Sequence, residues 1–328
     1  MDPLERRLAY APNDLDLDVV RQLPFERLPT ISVVIPSRNQ GGFLRACLES
    51  VFAQEYPRLE VFVADGGSAD GSLGVLEEYT LKHPGVFDFV SEPDGGQANG
   101  VNKAIDATRG DIIAWINSDD IYLAGAFWKV VAFFHFNRCA IVAYGRNWYT
   151  DERLAPKVES PVRWSASLRE QRRRMMHFCL VPQPSLFFRR AAVEFGHPRP
   201  SIALDYDLWL RWQKDVPFYF IDDYLSYSRL HRATKSLTGG RSLYHEIFRI
   251  VHRHYGTVPY NFTEMLAQYD AYGNVWAATG QAAPITRKLQ LRALAYWVYF
   301  NVRWLPRAII GCARESAEKI RESLFGRV

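Results

Sequence analysis

Apolar runs alternate with amphipathic segments through the first 240 residues. The run 112–116, Ile-Ile-Ala-Trp-Ile, is uninterrupted, which is typical of a strand buried on both faces of a parallel sheet. Between such runs, apolar side chains recur at the 3.6-residue period of helices that bury one face, most clearly from Phe43 to Phe52. This alternation predicts an α/β fold with a mostly parallel, doubly wound (Rossmann-like) sheet flanked by helices.

The same pattern places the individual elements. It predicts strands at 31–35, 59–64, 86–90, 112–116, 140–144 and 216–221, with a short strand within 182–188. It predicts helices at 43–52, 97–108 and 124–136, a further helix that ends at about residue 82, and one that begins near Leu204. Residues 145–180 show no clear period, and we expect an irregular connection there whose arginines form a solvated face. The predicted organisation is an N-terminal extension (1–30), a main domain (31–240) and a C-terminal helical region (241–328).

Three successive predicted strands end at an aspartate or at a loop that carries one. These residues are Asp65, Asp94 and the adjacent pair Asp119 and Asp120. The carboxyl ends of parallel strands meet at one edge of the sheet, where open α/β sheets bind ligands. Two adjacent carboxylates repel each other unless a cation neutralises them, and hard oxygen ligands suit Mg²⁺ or Mn²⁺ that also binds substrate phosphates. We therefore predict a site for a nucleotide and a metal; the alternative is that the pair caps the next helix.

Two later segments carry further candidate chemistry. Asp205 lies near the start of a predicted helix, where the helix dipole stabilises a carboxylate, and capping would explain only one of Asp205 and Asp207. The segment 228–236 places His231 among basic side chains, which suits a polyanion such as a diphosphate. No G-x-G-x-x-G follows the first strand and no G-x-x-x-x-G-K-[ST] occurs, which disfavours a dinucleotide-binding fold and a P-loop.

The order of these segments resembles that of family 2 glycosyltransferases, which are inverting enzymes of the GT-A fold. The matching segments are 32–39, 63–72, 92–97 with Asn102 and Lys103, 115–120, 205–211 and 229–231. The resemblance implies a GT-A fold for the main domain and a transfer reaction that uses a nucleotide-sugar donor.

The resemblance also implies roles for individual residues. Pro36, Ser37, Arg38 and Asp65 would hold the base of the nucleotide, and Asp94 and Asn102 match positions near the donor. Asp119 would contact the ribose or the metal side, Asp120 would bind Mg²⁺ or Mn²⁺ together with the diphosphate, and His231 would meet the metal or the diphosphate. Asp205 occupies the position of the catalytic base; we assign the base to it rather than to Asp207, although Leu204 stands where the family usually has Glu.

The function expected from this resemblance is metal-dependent, inverting transfer of a sugar from a nucleotide-diphosphate donor. We expect a UDP-sugar as donor and a hydroxyl of a saccharide or lipid-linked saccharide as acceptor, in polysaccharide or glycolipid assembly for the cell envelope. One alternative is a nucleotidyltransferase that makes nucleotide sugars, which the single basic residue within 37–42 disfavours. The other is a catalytically silent binding protein of GT-A fold, against which the retained Asp65, Asp120 and Asp205 argue.

Composition and cysteine usage bear on the cellular compartment of the protein. The 328 residues are 48% hydrophobic and 23% charged, as in soluble globular proteins. The four cysteines, at 47, 139, 179 and 312, show no paired spacing, so we expect neither a disulfide framework nor a zinc site, and a reducing compartment. The N-terminus lacks an apolar core of signal-peptide type, and we expect a cytoplasmic protein.

Charge is unevenly distributed along the chain. From Arg241 onward there are 12 Lys and Arg against 6 Asp and Glu, a net charge of +6, which suggests an anionic surface as partner. The apolar and aromatic run 293–300 is too short to span a bilayer. It is expected either to lie at the inner face of the membrane or to pack on the domain as an ordinary amphipathic helix. Nucleic acid is disfavoured as a partner because no recognisable binding module occurs.

Overall fold

The computed structural model describes residues 15–161, 167–273 and 285–303. Two compact units divide them. The first holds the described residues up to Met175 together with Cys179–Leu230, and the second holds Met176–Phe178 and the described residues from His231 on. The expectations for the first fourteen residues, for Cys312 and for the basic tail after Arg303 fall outside the described residues.

The first unit is built around a nine-stranded sheet. The parallel part of this sheet contains the strands that Asp65, Asp94, Asp119 and Asp120 follow or end. The strands β1 (Ile31–Ser37), β2 (Leu59–Asp65), β3 (Phe87–Ser91) and β4 (Ile112–Trp115) lie in the order β3-β2-β1-β4, all parallel. Every residue of β1 and β4 is buried, as expected for strands covered on both faces. The carboxyl ends of these four strands therefore share one edge of the sheet.

Helices connect these strands as the sequence predicts. They are α2 (Gly41–Phe52), α3 (Ser72–Lys82) and α4 (Gln97–Ala107). The short α1 (Leu17–Arg21) precedes them in the N-terminal extension, and α5 (Ala126–Phe136) follows β4 on the way to the rest of the sheet. The residues that α2 buries, Leu44, Cys47, Leu48 and Val51, have helical spacing and pack in the main core.

Beyond β4 the sheet becomes mixed. The added strands are β5 (Ile121–Tyr122), β6 (Val142–Thr150), β7 (Pro156–Glu159), β8 (Leu186–Arg189) and β9 (Phe218–Arg229). Strand β8 runs antiparallel to both β4 and β6, and β9 runs parallel to β6 and antiparallel to β5. The long parallel pair β6 and β9 thus extends the sheet past the edge at which the first four strands end.

The prediction of an irregular connection at 145–180 was wrong. Those residues contain the second half of β6, β7 and the helix α6 (Leu168–His177). The strand was missed because polar side chains occupy buried positions in it and pair across strands: buried Asn147 accepts hydrogen bonds at Oδ1 from Ser226 Oγ (2.9 Å) and Ser228 Oγ (3.3 Å). Such pairs remove the hydrophobic period on which the prediction relied.

The arginines of α6 were expected to be solvated, but three of them have partners in the structure. Arg173 and Arg174 pair with Glu170 on the same helix. Arg172 instead donates from Nε to the carbonyl oxygen of Gln213 (2.7 Å), the residue that caps the C-terminus of α7 (Leu204–Trp212). A guanidinium that binds the last carbonyls of a helix stabilises its C-terminus.

The second unit is helical, as predicted for the C-terminal region. It contains α8 (Lys235–Thr238), α9 (Gly240–Tyr255), α10 (Tyr260–Tyr272) and α11 (Arg287–Arg303). Helix α9 ends at Gly256, whose φ of 71° is the left-handed conformation that favours glycine. Among the described residues, no helix is both long and apolar enough to cross a membrane.

Gly110 allows β4 to lie closely against β1. Its N–H donates to Ser32 Oγ (2.8 Å), and its carbonyl oxygen accepts from Arg190 Nε (2.8 Å). A Cβ at this position would lie 2.5 Å from Ser32 Oγ and 2.8 Å from the carbonyl oxygen of Thr30. Any side chain here would push the start of β4 away from β1.

We expect the Gly110→Ala substitution to lower the free energy of unfolding by about 1–3 kcal/mol, because the methyl group overpacks backbone. Gly74 is the matched control: it lies inside α3 and a Cβ there would have no heavy atom within 4 Å. Gly74→Ala should raise the stability by about 0.5–1 kcal/mol through helix propensity. Urea unfolding of both variants measures the difference, and equal shifts of both midpoints would contradict this description of the β1–β4 contact.

Candidate active site

The two adjacent carboxylates Asp119 and Asp120 follow β4 directly and do not cap a helix. Asp120 is buried and Asp119 half-buried, and the N–H of Asp120 donates to the carbonyl oxygen of Asn117 (3.1 Å) in a tight turn. Helix α5 begins only at Ala126, and its N-cap is Gly125, without a side-chain cap. The capping alternative is therefore wrong.

Asp120 is a buried carboxyl group beside a second carboxylate. Its Oδ1 accepts a hydrogen bond from the backbone N–H of Arg229 (2.9 Å). Burial raises the pKa of Asp120 well above its usual range, the charge of Asp119 raises it further, and the Arg229 N–H opposes both. A carboxylate in this position is costly to ionise unless a cation lies beside it.

Arg229, the last residue of β9, supplies positive charge at this point. It is buried, and its guanidinium carbon lies 4.7 Å from the centroid of the Phe43 ring. Burial lowers the pKa of Arg229, and Asp119 and Asp120 act in the opposite direction, as expected for a cation beside two anions. In the sequence Arg229 stands among the basic residues near His231, and its contact with Asp120 was not predicted because the strand was expected to end at residue 221.

A chain of three amide side chains fixes the turn that carries the carboxylates. Gln97 Nε2 donates to Asn117 Oδ1 (2.7 Å), and Asn117 Nδ2 donates to Gln183 Oε1 (2.9 Å). Gln183 Nε2 completes the chain at the carbonyl oxygen of Trp115 (2.6 Å). The start of α4, the end of β4 and the short 3₁₀ helix Gln183–Ser185 are thereby joined. The sequence does not predict these hydrogen bonds, because the amide side chains and their partners are far apart along the chain.

The predicted donor residues Pro36, Arg38 and Asp94 come together beside two glycines. A Cβ at Gly66 would lie 3.2 Å from Asp94 Oδ1 and 3.3 Å from Arg38 Cδ. A Cβ at Gly100 would lie 3.1 Å from Asp94 Oδ2 and 3.4 Å from Pro36 Cβ. The Asp94 carboxylate therefore lies between the two glycines, next to the ends of β1 and β2.

Asp65 and Ser37 stand opposite each other in the register of β1 and β2. Asp65 is buried, and its carboxylate accepts hydrogen bonds from Ser68 N (2.8 Å), Ser68 Oγ (2.5 Å) and Ser91 Oγ (2.7 Å). These bonds hold the loop after β2. The Ser37 hydroxyl is buried and has no partner among the described residues. Contact of either residue with a nucleotide base stays a prediction.

Asn102 connects α4 to the loop that precedes α7. Its Nδ2 donates to the carbonyl oxygen of Pro198 (3.0 Å), and its buried Oδ1 has no partner within the described residues. A donor contact for Asn102 also stays a prediction. The contact it does make supports the segment that leads to Asp205.

Asp205 and Asp207, both in the first turn of α7, have different surroundings. Asp207 is buried in an ion pair with Arg211 Nε (3.0 Å), whose Nη2 also donates to the carbonyl oxygen of His197 (2.7 Å). Asp205 is half-buried, and its Oδ1 accepts from the N–H of Tyr206 (2.8 Å). The more accessible carboxylate is the better placed of the two to reach a substrate.

Two observations relate α7 to the end of β4. The rings of Trp209 in α7 and Trp115 in β4 lie 6.0 Å apart between centroids. Burial raises the pKa of the Tyr149 phenol, and Cys179, Asp205 and Asp120 raise it further. Asp205 and Asp120 are therefore both near enough to influence the same phenol. Tyr149 was missed by the sequence analysis because it lies in the stretch without a clear hydrophobic period.

His231 belongs to the second unit, at its start. It is buried; its N–H donates to Thr234 Oγ1 (3.0 Å), and its Nδ1 accepts from the N–H of Ala233 (3.3 Å). Both contacts are local. Its assignment to the metal or the diphosphate stays a prediction.

The donor set at the carboxylate pair fits a divalent cation that substrate helps to bind. In the part of the chain that the structure describes, no group of three or more His, Cys, Asp or Glu side chains could hold a metal. Asp119 and Asp120 offer two carboxylates, and Mg²⁺ is commonly bound by one or two carboxylates plus substrate phosphates and water. The buried charge of Asp120 gives such a cation a physical reason to bind.

A family model described as "Glycosyl transferase family 2" matches residues 32–195, which is half of the chain. The chain is a member of this family, and the resemblance inferred from its motifs is confirmed.

Curated relatives carry related names. Chondroitin synthase of Escherichia coli is 29% identical over 224 residues, which cover 66% of this chain and 31% of that protein. An uncharacterised glycosyltransferase of Rickettsia felis is 26% identical over 211 residues, covering 62% of this chain and 34% of that protein. The chain thus matches about a third of the length of these relatives.

Solved structures of glycosyltransferases share the fold. S. aureus TarS in complex with UDP-GlcNAc has a TM-score of 0.59 at 17% identity, covering 90% of each chain. The mannosyltransferase PcManGT from Pyrobaculum calidifontis has a TM-score of 0.50 at 16% identity, covering 95% of this chain and 82% of that one. The predicted mixed α/β fold of GT-A type is confirmed.

The contrast between the two aspartates of α7 is testable by stability. Asp207→Asn should lower the free energy of unfolding by about 3 kcal/mol, because it leaves the Arg211 guanidinium without its buried counter-ion. Asp205→Asn should change it little, since the carboxylate is half-buried. Urea or thermal unfolding measures both, with Glu78→Gln, which breaks a half-exposed pair with Arg45, as a second control. Equal losses at both aspartates would show that their environments do not differ as described.

Proposed function

We propose that this chain is an inverting glycosyltransferase that moves a sugar from a nucleotide-diphosphate donor to an acceptor hydroxyl. The observation that supports it best is that Asp120 and Asp205, 85 positions apart in the sequence, are both near enough to Tyr149 for their charges to raise the pKa of its phenol. A donor-binding carboxylate and a general base would both have to lie near one reacting centre, and the shared influence on Tyr149 supports that pair of roles. Membership of the family supplies the reaction class.

The donor would lie along the shared edge of β1, β2 and β4. Pro36, Arg38 and Asp94, grouped around Gly66 and Gly100, would hold the base, and the glycines allow close approach because they carry no Cβ. Asp119 would contact the ribose. UDP-GlcNAc in the TarS structure supports a UDP-sugar as donor here.

Asp119 and Asp120 would hold Mg²⁺ or Mn²⁺ together with the donor diphosphate. The cation supplies positive charge that stabilises the departing diphosphate. The Mn²⁺ in the PcManGT complex supports this choice of metal. Arg229 adds a fixed positive charge at the same place, and its N–H keeps Oδ1 of Asp120 in position.

Asp205 would act as the general base. Its carboxylate takes the proton of the acceptor hydroxyl as that oxygen attacks the anomeric carbon, and the bond from that carbon to the diphosphate breaks in the same displacement. Attack from the side opposite the leaving group inverts the anomeric configuration. Asp207 is less suited to this role because Arg211 already neutralises it. Helix α7 would position the base, and the packing of Trp209 on Trp115 supports a place for that helix beside the end of β4.

The acceptor would be a saccharide or a lipid-linked saccharide. Similarity to chondroitin synthase supports a role in polysaccharide or glycolipid assembly, including that of the cell envelope. We place the protein in the cytoplasm, at the inner face of the membrane, where such acceptors are assembled. Its cysteines 47, 139 and 179 are free thiols, which suits a reducing compartment.

Replacing the base should separate chemistry from binding. Asp205→Asn should lower turnover by about 10²–10⁴ while donor affinity stays near that of the unmodified chain, because general-base catalysis acts only in the transition state. Release of nucleoside diphosphate from a panel of nucleotide sugars measures turnover, and calorimetry measures affinity. Asp215→Asn, an exposed carboxylate just after α7, is the control and should leave both unchanged.

Near-normal transfer by Asp205→Asn would refute the base assignment. Formation of pyrophosphate instead of nucleoside diphosphate would identify the reaction as nucleotidyl transfer and refute the proposed function itself.

Asp120→Asn should gain stability and lose function. Folding raises the pKa of this carboxyl, so that its ionised form destabilises the native state at pH values above the raised pKa. The amide keeps an oxygen for the Arg229 N–H but removes the charge. In the presence of a chelator, the melting temperature of Asp120→Asn should exceed that of the unmodified chain at neutral pH. The gain should disappear at acidic pH, below the ordinary carboxyl pKa, where both are neutral.

The same substitution should abolish the Mn²⁺-dependent part of donor binding, which calorimetry with and without Mn²⁺ measures. Asp88→Asn on β3, an exposed carboxylate, is the control for both effects. Unchanged metal dependence in Asp120→Asn would contradict the metal assignment, and a lower melting temperature would contradict the electrostatic description.

A further inference from the structure

Helix α11 of the second unit presents apolar side chains on two opposite faces. The inner face packs within the unit: Leu289 and Ala293 cluster with Ala267 of α10, and the Phe300 ring lies 4.7 Å from that of Phe248 in α9. This face accounts for how α11 is attached to its own unit.

The outer face of α11, formed by Leu291, Leu294 and Trp297, is exposed within the part of the chain that the structure describes. These side chains follow one another at three-residue spacing and are 47%, 48% and 37% exposed. Ile285, just before the helix, is 51% exposed. Large apolar side chains grouped on one exposed face mark an interaction surface, whereas single ones do not.

The charge on this helix is of one sign. Residues 285–303 contain four basic residues, Arg287, Lys288, Arg292 and Arg303, and no Asp or Glu. Arg287 and Lys288 are exposed at the N-terminal end of the helix. An apolar face with Trp and Leu, bordered by Lys and Arg, is typical of helices that lie in the interface of a membrane with anionic lipids.

Other binding partners fit the outer face of α11 less well than a lipid surface does. A second copy of the chain, bound face to face, would bring two helices with only positive charges together. Helix α11 has 17 residues and a rise of about 1.5 Å per residue, which makes it shorter than the span of a bilayer core. Nucleic acid would use the basic residues but would leave the leucines in water. A lipid surface uses the charges and the apolar side chains together.

We propose that the outer face of α11 docks on the surface of a bilayer that contains anionic lipids, with Leu291, Leu294 and Trp297 at the level of the headgroups and Arg287 and Lys288 beside the phosphates. This docking is a binding property of the second unit and does not depend on the proposed transfer reaction. It would keep the enzyme at the surface where a lipid-linked acceptor is found.

Flotation of the full-length chain with vesicles tests the proposal. Vesicles of phosphatidylglycerol and phosphatidylcholine provide the anionic surface, and vesicles of phosphatidylcholine alone provide the neutral one. We expect the unmodified chain to float with the anionic vesicles, at least about tenfold less with the neutral ones, and less as salt screens the charges.

Two double variants separate the contributions. Leu291→Gln with Leu294→Gln removes apolar contact, and Arg287→Glu with Lys288→Glu reverses the charge; each should lower binding to anionic vesicles by about tenfold or more. Leu81→Gln is the matched control, because Leu81 is 84% exposed but lies on α3 in the first unit. Its binding should equal that of the unmodified chain. Unchanged melting temperatures confirm that the substitutions, all at exposed positions, leave the fold intact.

Three results would overturn the proposal: no flotation of the unmodified chain, full flotation of both double variants, or an equal loss in Leu81→Gln. If light scattering instead shows that the unmodified chain is a dimer and the leucine variant a monomer, and neither protein binds vesicles, the outer face of α11 is an interface between two copies of the chain. Donor binding, measured in the same variants, should be unchanged, which distinguishes failure of the docking proposal from failure of the proposed enzymatic function.

Discussion

The hydrogen bond from the Arg229 N–H to Asp120 joins two parts of the sheet that lie far apart in the sequence. Asp120 follows the parallel strands, and Arg229 ends β9 in the mixed part, 109 positions later. Without this bond, a carboxylate buried beside Asp119 would lose its backbone donor and would be still more disfavoured. The bond therefore fixes the position of the carboxylate and leaves its excess negative charge for a cation to neutralise.

Four carboxylates of the candidate site differ in what surrounds them, and that difference supports the roles we propose for them. Asp65 is satisfied by serine donors and holds a loop. Asp207 is neutralised by Arg211 and holds a helix. Asp120 is buried beside a like charge, which suits a metal ligand, and Asp205 is half-buried at the start of α7, which suits a base. The residue type is the same in all four cases, and the environment decides what each can do.

The sequence predicted the parallel part of the fold because its strands are fully buried and its helices have a clear amphipathic period. The aspartates at the ends of β2 and β4 followed from that placement, since parallel strands share an edge. The second half of β6 and the extension of β9 to Arg229 were not predictable in this way. Their buried residues include Asn147 and Ser226, which form a hydrogen bond across strands and interrupt the hydrophobic period. Gln97, Asn117 and Gln183 were missed for a similar reason: each amide finds its partner only after the chain has folded.

The central claim is that one divalent cation binds at Asp119 and Asp120 together with the donor diphosphate, on the side of the site that faces Asp205. Diffraction from crystals grown with Mn²⁺ and a UDP-sugar, recorded at the manganese absorption edge, tests it most directly. We expect a single strong anomalous peak in coordination contact with the Asp120 carboxylate and the diphosphate, with the anomeric carbon between that peak and Asp205. A bound donor whose diphosphate is neutralised elsewhere, or a manganese peak away from the carboxylate pair, would contradict the account.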